Sequence, residues 1–305
     1  MTSSVLSNHM TFNTLRADRT EWVNLVSPSN SELAKVLKAL DLPTDTLQSM
    51  RGNLQKLEDN TVLLKLQIPR KNLPRSKVPY QVTMLTILVK EGAVITISED
   101  ESFLFTHLEH EHLVNWAEKN STDFLFRILS MTTENFLQIT NSLSDKIAEI
   151  ELKLKRAFHN RSVFELLNLN KSLLYFSKAL NRNIRLLKNL SRRSVLRADH
   201  EQDLALIDLI AKAEQVESLA RTYHANLRNL MDAYSAVIEN NLSLSVQYLT
   251  IFVTVITIPM AIGGIYGMNT PLPIQDEPYA LTALGIIGVI VIASLLTFFK
   301  SKKLI

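Results

Sequence analysis

The sequence predicts an α+β protein that has an N-terminal cytosolic α/β domain, long stalk helices and two C-terminal transmembrane helices. Three observations over the 305 residues predict this order. Short runs of branched residues lie before residue 100, no proline or glycine occurs from 101 to 258, and two apolar runs without charge lie near the C-terminus. Branched runs are typical of strands, long stretches without breakers of helices, and long charge-free runs of membrane spans.

The two apolar runs cover residues 246–265 and 279–299. After Glu239 no charged residue occurs before Asp276, and the second run contains none. A helix needs roughly 20 apolar residues to cross a bilayer, and a backbone in hydrocarbon must satisfy its own hydrogen bonds. We therefore predict two transmembrane helices and contact with the lipid bilayer.

The charges that flank the spans predict their orientation. Lys300, Lys302 and Lys303 follow the second span, whereas the short connection carries only Asp276 and Glu277. Because basic residues favour the cytoplasmic side, both termini are expected in the cytoplasm of a multi-pass protein of the inner or plasma membrane.

The N-terminal region predicts a small domain of strands and helices. Residues Ser29 and Glu32 have the spacing of a capping box, and apolar residues at helical spacing follow them. Three short runs, at 61–69, 80–89 and 93–97, are rich in branched residues and predict strands.

The region that follows predicts very long helices. Apolar residues recur at steps of three and four from Leu143 to Leu154 and from Leu209 to Ile238. The last helix runs without a breaker into the first span, which predicts a stalk. The segment 153–193 is basic; a solvated face is the favoured interpretation, and proximity to anionic headgroups or acidic helices is the alternative.

Polar residues form a second pattern on the last stalk helix, which we call the polar stripe. Its members recur at steps of seven, four, four, three, four and three, and are Asp232, Glu239, Ser243, Gln247, Thr250, Thr254 and Thr257. Polar groups in a membrane favour a bundle interior or water, and one helix cannot enclose a water path. The stripe therefore predicts a cyclic homo-oligomer around a pore. Alternatively, each threonine bonds its own upstream carbonyl and has no further role.

Composition argues against several other classes. Cysteine is absent, which excludes disulfides and thiolate metal sites, and the net charge of +3 is too small to indicate a nucleic-acid partner. No glycine-rich loop that could hold a phosphate is present, so we predict that the chain is not an enzyme. A histidine cluster at 107–112 has metal-ligating residue types, but a solvated helix is favoured there.

The C-terminal end resembles the CorA family of magnesium channels. The residues that carry the resemblance are Pro259, then the motif Tyr266, Gly267, Met268 and Asn269, an acidic loop, the second span and the terminal lysines. The segment 22–25 and Pro28 before the first helix are similar to the start of the family's cytoplasmic domain, though more weakly. The resemblance implies a homopentamer with a funnel-shaped cytosolic domain and one pore-lining helix per subunit.

The resemblance also implies roles for single residues. The motif from Tyr266 to Asn269 would be the selectivity filter, with Asn269 forming a ring of amide oxygens at the outer mouth. Asp276 and Glu277 would concentrate cations there. Asp232 would be a pore-lining acid, Val246 and Leu249 would stand where some members place apolar gates, and Asp208 would be a regulatory metal site. An ordinary helix-surface pair of Asp208 with Lys212 is the alternative.

The chain departs from the family pattern at several positions. The acidic residues of the loop are shifted, and Pro259 lies about one residue nearer the motif than in some members. After Pro43, Asp45 is the acid that could face Asp208, and Gln48 nearby is neutral.

These observations predict a channel that conducts hydrated Mg²⁺ into the cytoplasm, with Co²⁺ and Ni²⁺ as further ions and Mg²⁺ as a regulator. One alternative is a Zn²⁺ transporter of the same superfamily, which often has isoleucine where Met268 stands. The other is a membrane-anchored coiled-coil scaffold or sensor that conducts nothing.

The predicted organisation divides the chain at changes in composition. It comprises an α/β domain (1–122), a stalk (123–245), a first, pore-lining transmembrane helix (246–266), an external loop (267–278), a second transmembrane helix (279–299) and a basic cytosolic tail (300–305).

Overall fold

The computed structural model combines one mixed β-sheet with five helices among the residues that it describes. These residues are 13–16, 21–39, 42–43, 46–47, 50, 52–57, 60–72, 76–100, 120–156, 160–192, 200–268 and 278–302. The strands are β1 (Asn13–Arg16), β2 (Glu21–Val26), β3 (Leu54–Lys56), β4 (Val62–Lys71), β5 (Tyr80–Lys90) and β6 (Ala93–Ser98). The helices are α1 (Asn30–Ala39), α2 (Ser121–Arg156), α3 (Asn160–Arg192), α4 (His200–Tyr266) and α5 (Ala280–Ser301).

The sheet has the order β1-β2-β6-β5-β4-β3. Strands β2 and β6 are parallel, and all other neighbours are antiparallel. The three predicted strands are confirmed as β4, β5 and β6. Strands β1, β2 and β3 were not predicted, and β2 becomes a strand by pairing with β6, which lies more than 70 residues away in sequence.

Both faces of the sheet are covered by helices. Alternate residues of β4 point to opposite sides, as in any strand. Leu64 and Leu66 join one core cluster with Phe124 of α2, Leu187 of α3 and Leu209 of α4. On the other face, Leu63 lies in a second cluster with Leu37 of α1. The sheet and the long helices thus share one core, so α2 and α3 do more than form a stalk.

A buried polar chain joins β2 to β6. The Trp22 indole N–H donates to the Thr96 hydroxyl at 3.0 Å, and that hydroxyl donates to the Asn24 amide oxygen at 3.0 Å. The Trp22 ring also lies 5.6 Å from that of Phe124. These contacts explain a polar residue at Asn24 within an otherwise apolar strand.

The outer edge of β4 is protected by a side chain of α3. Beyond the short β3, the Gln67 N–H donates to the Asn183 amide oxygen at 2.9 Å, and the Asn183 amide N–H donates to the Gln67 carbonyl at 2.8 Å. On the same edge the Lys65 N–H donates to the Asn53 carbonyl at 2.9 Å. Pro69, two residues past Gln67, has no N–H to satisfy.

The predicted capping box is confirmed at the start of α1. The Ser29 N–H donates to the Glu32 carboxylate at 2.8 Å, and the Glu32 N–H donates to the Ser29 hydroxyl at 3.4 Å. The hydrogen bond from the Ser29 backbone N–H is the main cause that holds the pKa of Glu32 below its ordinary value of 4.5. The hydrogen bond with the Ser29 hydroxyl is the second cause.

This lowered pKa predicts a loss of stability in acid. The ionised Glu32 is favoured in the folded chain, so its contribution is present above pH 4.5 and is lost as the pH falls through the folded-state pKa. Glu32→Gln keeps the capping geometry but does not titrate. We expect the stability difference between wild type and Glu32→Gln to shrink on acidification, measured by thermal unfolding at several pH values; a difference that stays constant would contradict this.

The chain separates into two compact units, Met1–Asn229 and Leu230–Ile305. Helix α4 contributes residues to both and contains Pro259 without interruption. Its 67 residues far exceed the mean globular helix, which has about 12 residues. These units are defined by tertiary contacts. The predicted division at residues 122 and 245 is defined by composition, and it stays a prediction.

Candidate ion pathway

All members of the polar stripe lie on the one continuous helix α4. Their side chains are exposed except those of Gln247 and Thr254, which are half-buried. Because an α-helix has 3.6 residues per turn, steps of three and four keep the set on one side of the helix. One chain therefore presents a row of carboxylate, amide and hydroxyl groups that extends into an apolar segment.

The threonines of the stripe donate their hydroxyl protons to their own helix. Thr250 donates to the Val246 carbonyl at 2.8 Å, Thr254 to the Thr250 carbonyl at 2.8 Å, and Thr257 to the Val253 carbonyl at 2.7 Å. This geometry is the one expected from the local alternative for these residues. It accounts for each proton and leaves the lone pairs of each hydroxyl oxygen available.

The motif from Tyr266 to Asn269, for which the family resemblance implies a selectivity filter, begins where α4 ends. Tyr266 is the last residue of α4, and helical hydrogen bonding extends one residue further, because the Gly267 N–H donates to the Gly263 carbonyl at 3.0 Å. The Met268 N–H donates to the Ile265 carbonyl at 3.2 Å, and the Met268 side chain is exposed. Asn269 and the acidic pair Asp276 and Glu277 lie outside the described residues.

Gly267 is not required by the conformation of its own chain. A Cβ atom there would lie 3.5 Å from the carbonyl oxygens of Gly263 and Gly264, which is ordinary contact. The described glycines with positive φ are Gly52 and Gly92. The contacts of this position within one chain therefore leave room for a side chain as small as that of alanine.

We accordingly expect Gly267→Ala to keep or slightly raise stability, by up to about 1 kcal/mol, because alanine is a better helix former than glycine. Thermal unfolding of the purified protein measures this. A decrease larger than about 1 kcal/mol would contradict the finding that a Cβ atom at position 267 makes only ordinary contacts.

Asp208 lies on the exposed side of α4 and lines a groove of about 450 Å³ between the N-terminal parts of α2 and α4. Asp123 and Glu201 also line this groove. The alternative pair of Asp208 with Lys212 is not formed: the Lys212 ammonium lies 2.9 Å from the Glu134 carboxylate of α2. Lys212 thus reaches across helices, and the Asp208 carboxylate stays available to solvent.

Two of the predicted metal-binding residues, Asp208 and Asp232, lie in the described part of the chain, and Asn269 does not. Asp208 and Asp232 are 24 positions apart on α4, and both are exposed. Among the residues described, no group of three or more histidine, aspartate or glutamate side chains could hold a metal ion. The histidine cluster at 107–112 and Asp45 lie outside the described ranges.

The two apolar segments are almost fully exposed in the single chain. The most apolar windows of α4 and α5 have mean hydropathies of 2.0 and 2.4, and 6% and 0% of those windows are buried. Val246 and Leu249 are among the exposed residues, whereas Ile251 is buried. Contiguous apolar surface of this size is rare on soluble monomers. By length and composition both helices could cross a membrane, as in an integral membrane protein with a large domain outside the bilayer.

The comparison with known families gives a more specific result. The family model described as CorA-like Mg²⁺ transporter protein matches residues 17–303. The chain belongs to this family of membrane transporters, and the resemblance predicted from the C-terminal motif is confirmed. The family is one of transporters, which agrees with the prediction that the chain is not an enzyme.

Individual relatives agree in fold. The chain is 25% identical over 289 residues to the cobalt/magnesium transport protein CorA of Methanocaldococcus jannaschii, with 92% of this chain and 89% of the relative covered. The complete CorA structure from that organism superposes with a TM-score of 0.79 at 24% identity, covering 92% of this chain and 90% of that one. The predicted fold class is thereby confirmed.

A solved structure that carries another protein name also has a similar fold. The ZntB cytoplasmic domain of Vibrio parahaemolyticus superposes with a TM-score of 0.55 at 12% identity, covering 72% of this chain and 89% of that domain. At this identity the match concerns the fold alone.

Proposed function

We propose that this protein is a divalent-cation channel that conducts hydrated Mg²⁺ into the cytoplasm, with Co²⁺ and Ni²⁺ as further ions. The observation that carries the proposal is the polar stripe, which continues on one unbroken helix into the apolar segment and ends at Thr257, nine residues before the motif from Tyr266 to Asn269. Membership of a Mg²⁺ transporter family and similarity to a cobalt/magnesium transport protein support it.

The pathway requires several copies of the chain. One helix presents a polar row but cannot enclose water, and polar groups in hydrocarbon are costly unless they face a water-filled interior. A homopentamer that places the stripe of each α4 at the axis would satisfy these groups. The exposed apolar surface of α5 would then face lipid, and both termini would lie in the cytoplasm because the lysines follow α5.

The proposed sequence of events is passive. Asp276 and Glu277 raise the local concentration of cations, and the ring of Asn269 amide oxygens accepts hydrogen bonds from the water shell, which Mg²⁺ gives up reluctantly. The ion then passes the threonines and the carboxylates of Glu239 and Asp232. The membrane potential supplies roughly 4.6 kcal/mol per divalent ion at about 100 mV.

Regulation is proposed at Asp208. Its carboxylate is exposed and has no ion pair among the described residues. Mg²⁺ bound between this carboxylate and an acidic group of a neighbouring subunit would stabilise the conformation that binds it better and shift the population toward that state.

The test is Mg²⁺ entry into liposomes that contain the purified protein and a magnesium dye. Flux that follows the membrane potential and is competed by Co²⁺ supports the proposal. Zn²⁺ flux under a proton gradient without Mg²⁺ flux would indicate a zinc transporter instead. Silence for every ion would favour a scaffold or sensor.

A further inference from the structure

Helix α3 carries a large excess of positive charge. It contains seven lysine or arginine side chains and one acid, Glu165. The Arg161 guanidinium lies 3.2 Å from the Glu165 carboxylate, and so one of these cations has its partner on the same helix. The Lys188 ammonium lies 2.6 Å from the Glu214 carboxylate of α4. The remaining five cations form what we call the basic row, and are Lys171, Lys178, Arg182, Arg185 and Arg192.

The basic row is not neutralised within the described part of the chain. All five side chains are exposed, and none of them forms an ion pair with another described residue. Lys178, Arg182 and Arg185 are four and three residues apart, so their like charges meet on one side of the helix and destabilise it. Arg192 is favoured by its position in the last turn of α3, next to the negative end of the helix dipole. The row as a whole therefore has a cost in stability that no described contact offsets.

The spacing of the basic row is that of a surface along which a second helix packs. Four of its members recur at steps of seven residues, and Arg182 lies four residues after Lys178 on the same side. Phe164 continues the repeat seven residues before Lys171, and its apolar side chain is 65% exposed. Two helices that pack lengthwise meet at a period of seven residues. From Lys171 to Arg192 the row is about 32 Å long, which is enough for several turns of a partner helix.

The basic row is also separate from the side of α3 that packs in its own domain. Leu169, Leu173 and Leu187 are buried, and by helical geometry they lie on the opposite side of α3. A second copy is a poor occupant of the row through the same surface, because two such rows placed side by side would repel each other. A partner of opposite charge has no such penalty.

We propose that the basic row binds an acidic helical segment of another protein, which carries carboxylates along one side at steps of three, four and seven residues. Carboxylates at these steps face the cations of the row one by one. Arg182 and Arg185 can each hold a carboxylate with two parallel hydrogen bonds. Phe164 offers an apolar contact at one end of the same surface. This interaction is independent of ion conduction, so its test needs no flux.

The experiment measures binding of labelled synthetic peptides to the full-length protein in nonionic detergent, by fluorescence anisotropy. One alanine-based helical peptide carries glutamates at steps of seven, four, three and seven, and a second has the same composition with its glutamates spread around the helix. The aligned peptide should bind more tightly, and its affinity should fall as salt is added. Lys178→Gln with Arg182→Gln and Arg185→Gln should weaken its binding about tenfold, since three exposed charge pairs are lost. The matched control removes the same charge from exposed lysines outside α3, with Lys38→Gln, Lys77→Gln and Lys146→Gln, and should bind like wild type.

Each other outcome overturns the proposal. Equal affinity for the two peptides, or equal loss in the two triple variants, would show that only net charge matters. Tighter binding of a short DNA duplex or of vesicles with anionic lipid, lost in the row variant, would assign the row to nucleic acid or to a membrane. A smaller oligomer of the row variant in gel filtration would show that a second copy covers the row. Misfolding does not obscure these results, because the row variant relieves like-charge repulsion and should unfold at the same temperature as wild type or above it.

Discussion

Replacing Asn269 by alanine should abolish Mg²⁺ flux in liposomes while leaving the protein folded and assembled. In the proposed homopentamer the substitution removes a whole ring of amide oxygens at once. These oxygens accept hydrogen bonds from the hydrated ion without requiring it to lose water, which Mg²⁺ resists. We expect a loss of at least about 100-fold, since the loss of about 1.4 kcal/mol is already tenfold and several contacts disappear together.

The measurement is the initial rate of dye response at a fixed membrane potential, normalised to the amount of oligomer. Asn241→Ala is the matched control, because Asn241 is an exposed asparagine of α4 that lies off the polar stripe. The control should conduct like wild type. Unchanged flux in assembled Asn269→Ala would show that the selectivity filter does not lie at this position.

The second large effect concerns stability. Asn183→Leu should lower the free energy of unfolding of the N-terminal unit by about 2–5 kcal/mol. The buried amide satisfies both the N–H and the carbonyl of Gln67, at 2.9 and 2.8 Å. Leucine has a similar size but no polar atoms, so it leaves two backbone groups without partners, and each costs about 1–3 kcal/mol.

Chemical denaturation in detergent, followed by tryptophan fluorescence, measures this loss, because Trp22 is buried in the same unit. Asn181→Leu is the matched control: it lies two residues earlier on α3 and is exposed. Its effect should stay within about 0.5 kcal/mol. Equal effects of the two substitutions would show that the hydrogen bonds between Asn183 and Gln67 do not cause the loss of stability.

Local signals made most of the fold predictable. The capping box at Ser29 and Glu32 involves residues three positions apart, and β4 to β6 are branched runs with clear ends. Strand β2 was missed because its evidence is remote: Asn24 is polar, and its buried partner Thr96 lies 72 positions away. The joining of α2 and α3 to the sheet was missed for the same reason, since helical periodicity identifies an apolar face but not what covers it.

The candidate site was predictable to a different extent. The steps between Asp232 and Thr257 gave the polar stripe from sequence alone, and the hydroxyl bonds were foreseen as the local alternative. The partner of Lys212 was not predicted. A spacing of four residues suggested Asp208, whereas the structure places Glu134 of α2 beside Lys212. The roles of Asn269 and Asp208 come from the family resemblance, because both would act between copies of the chain.

The two hydrogen bonds between Asn183 and Gln67 of β4 also affect solubility. A strand whose outer N–H and carbonyl groups are free is a template for pairing with another chain. Along β4 these groups are occupied by Asn53 and Asn183, and Pro69 offers no donor. Asn183 therefore blocks the addition of a further strand at this edge of the sheet. Loss of the Asn183 side chain would expose this edge of the sheet and favour aggregation through pairing of strand edges.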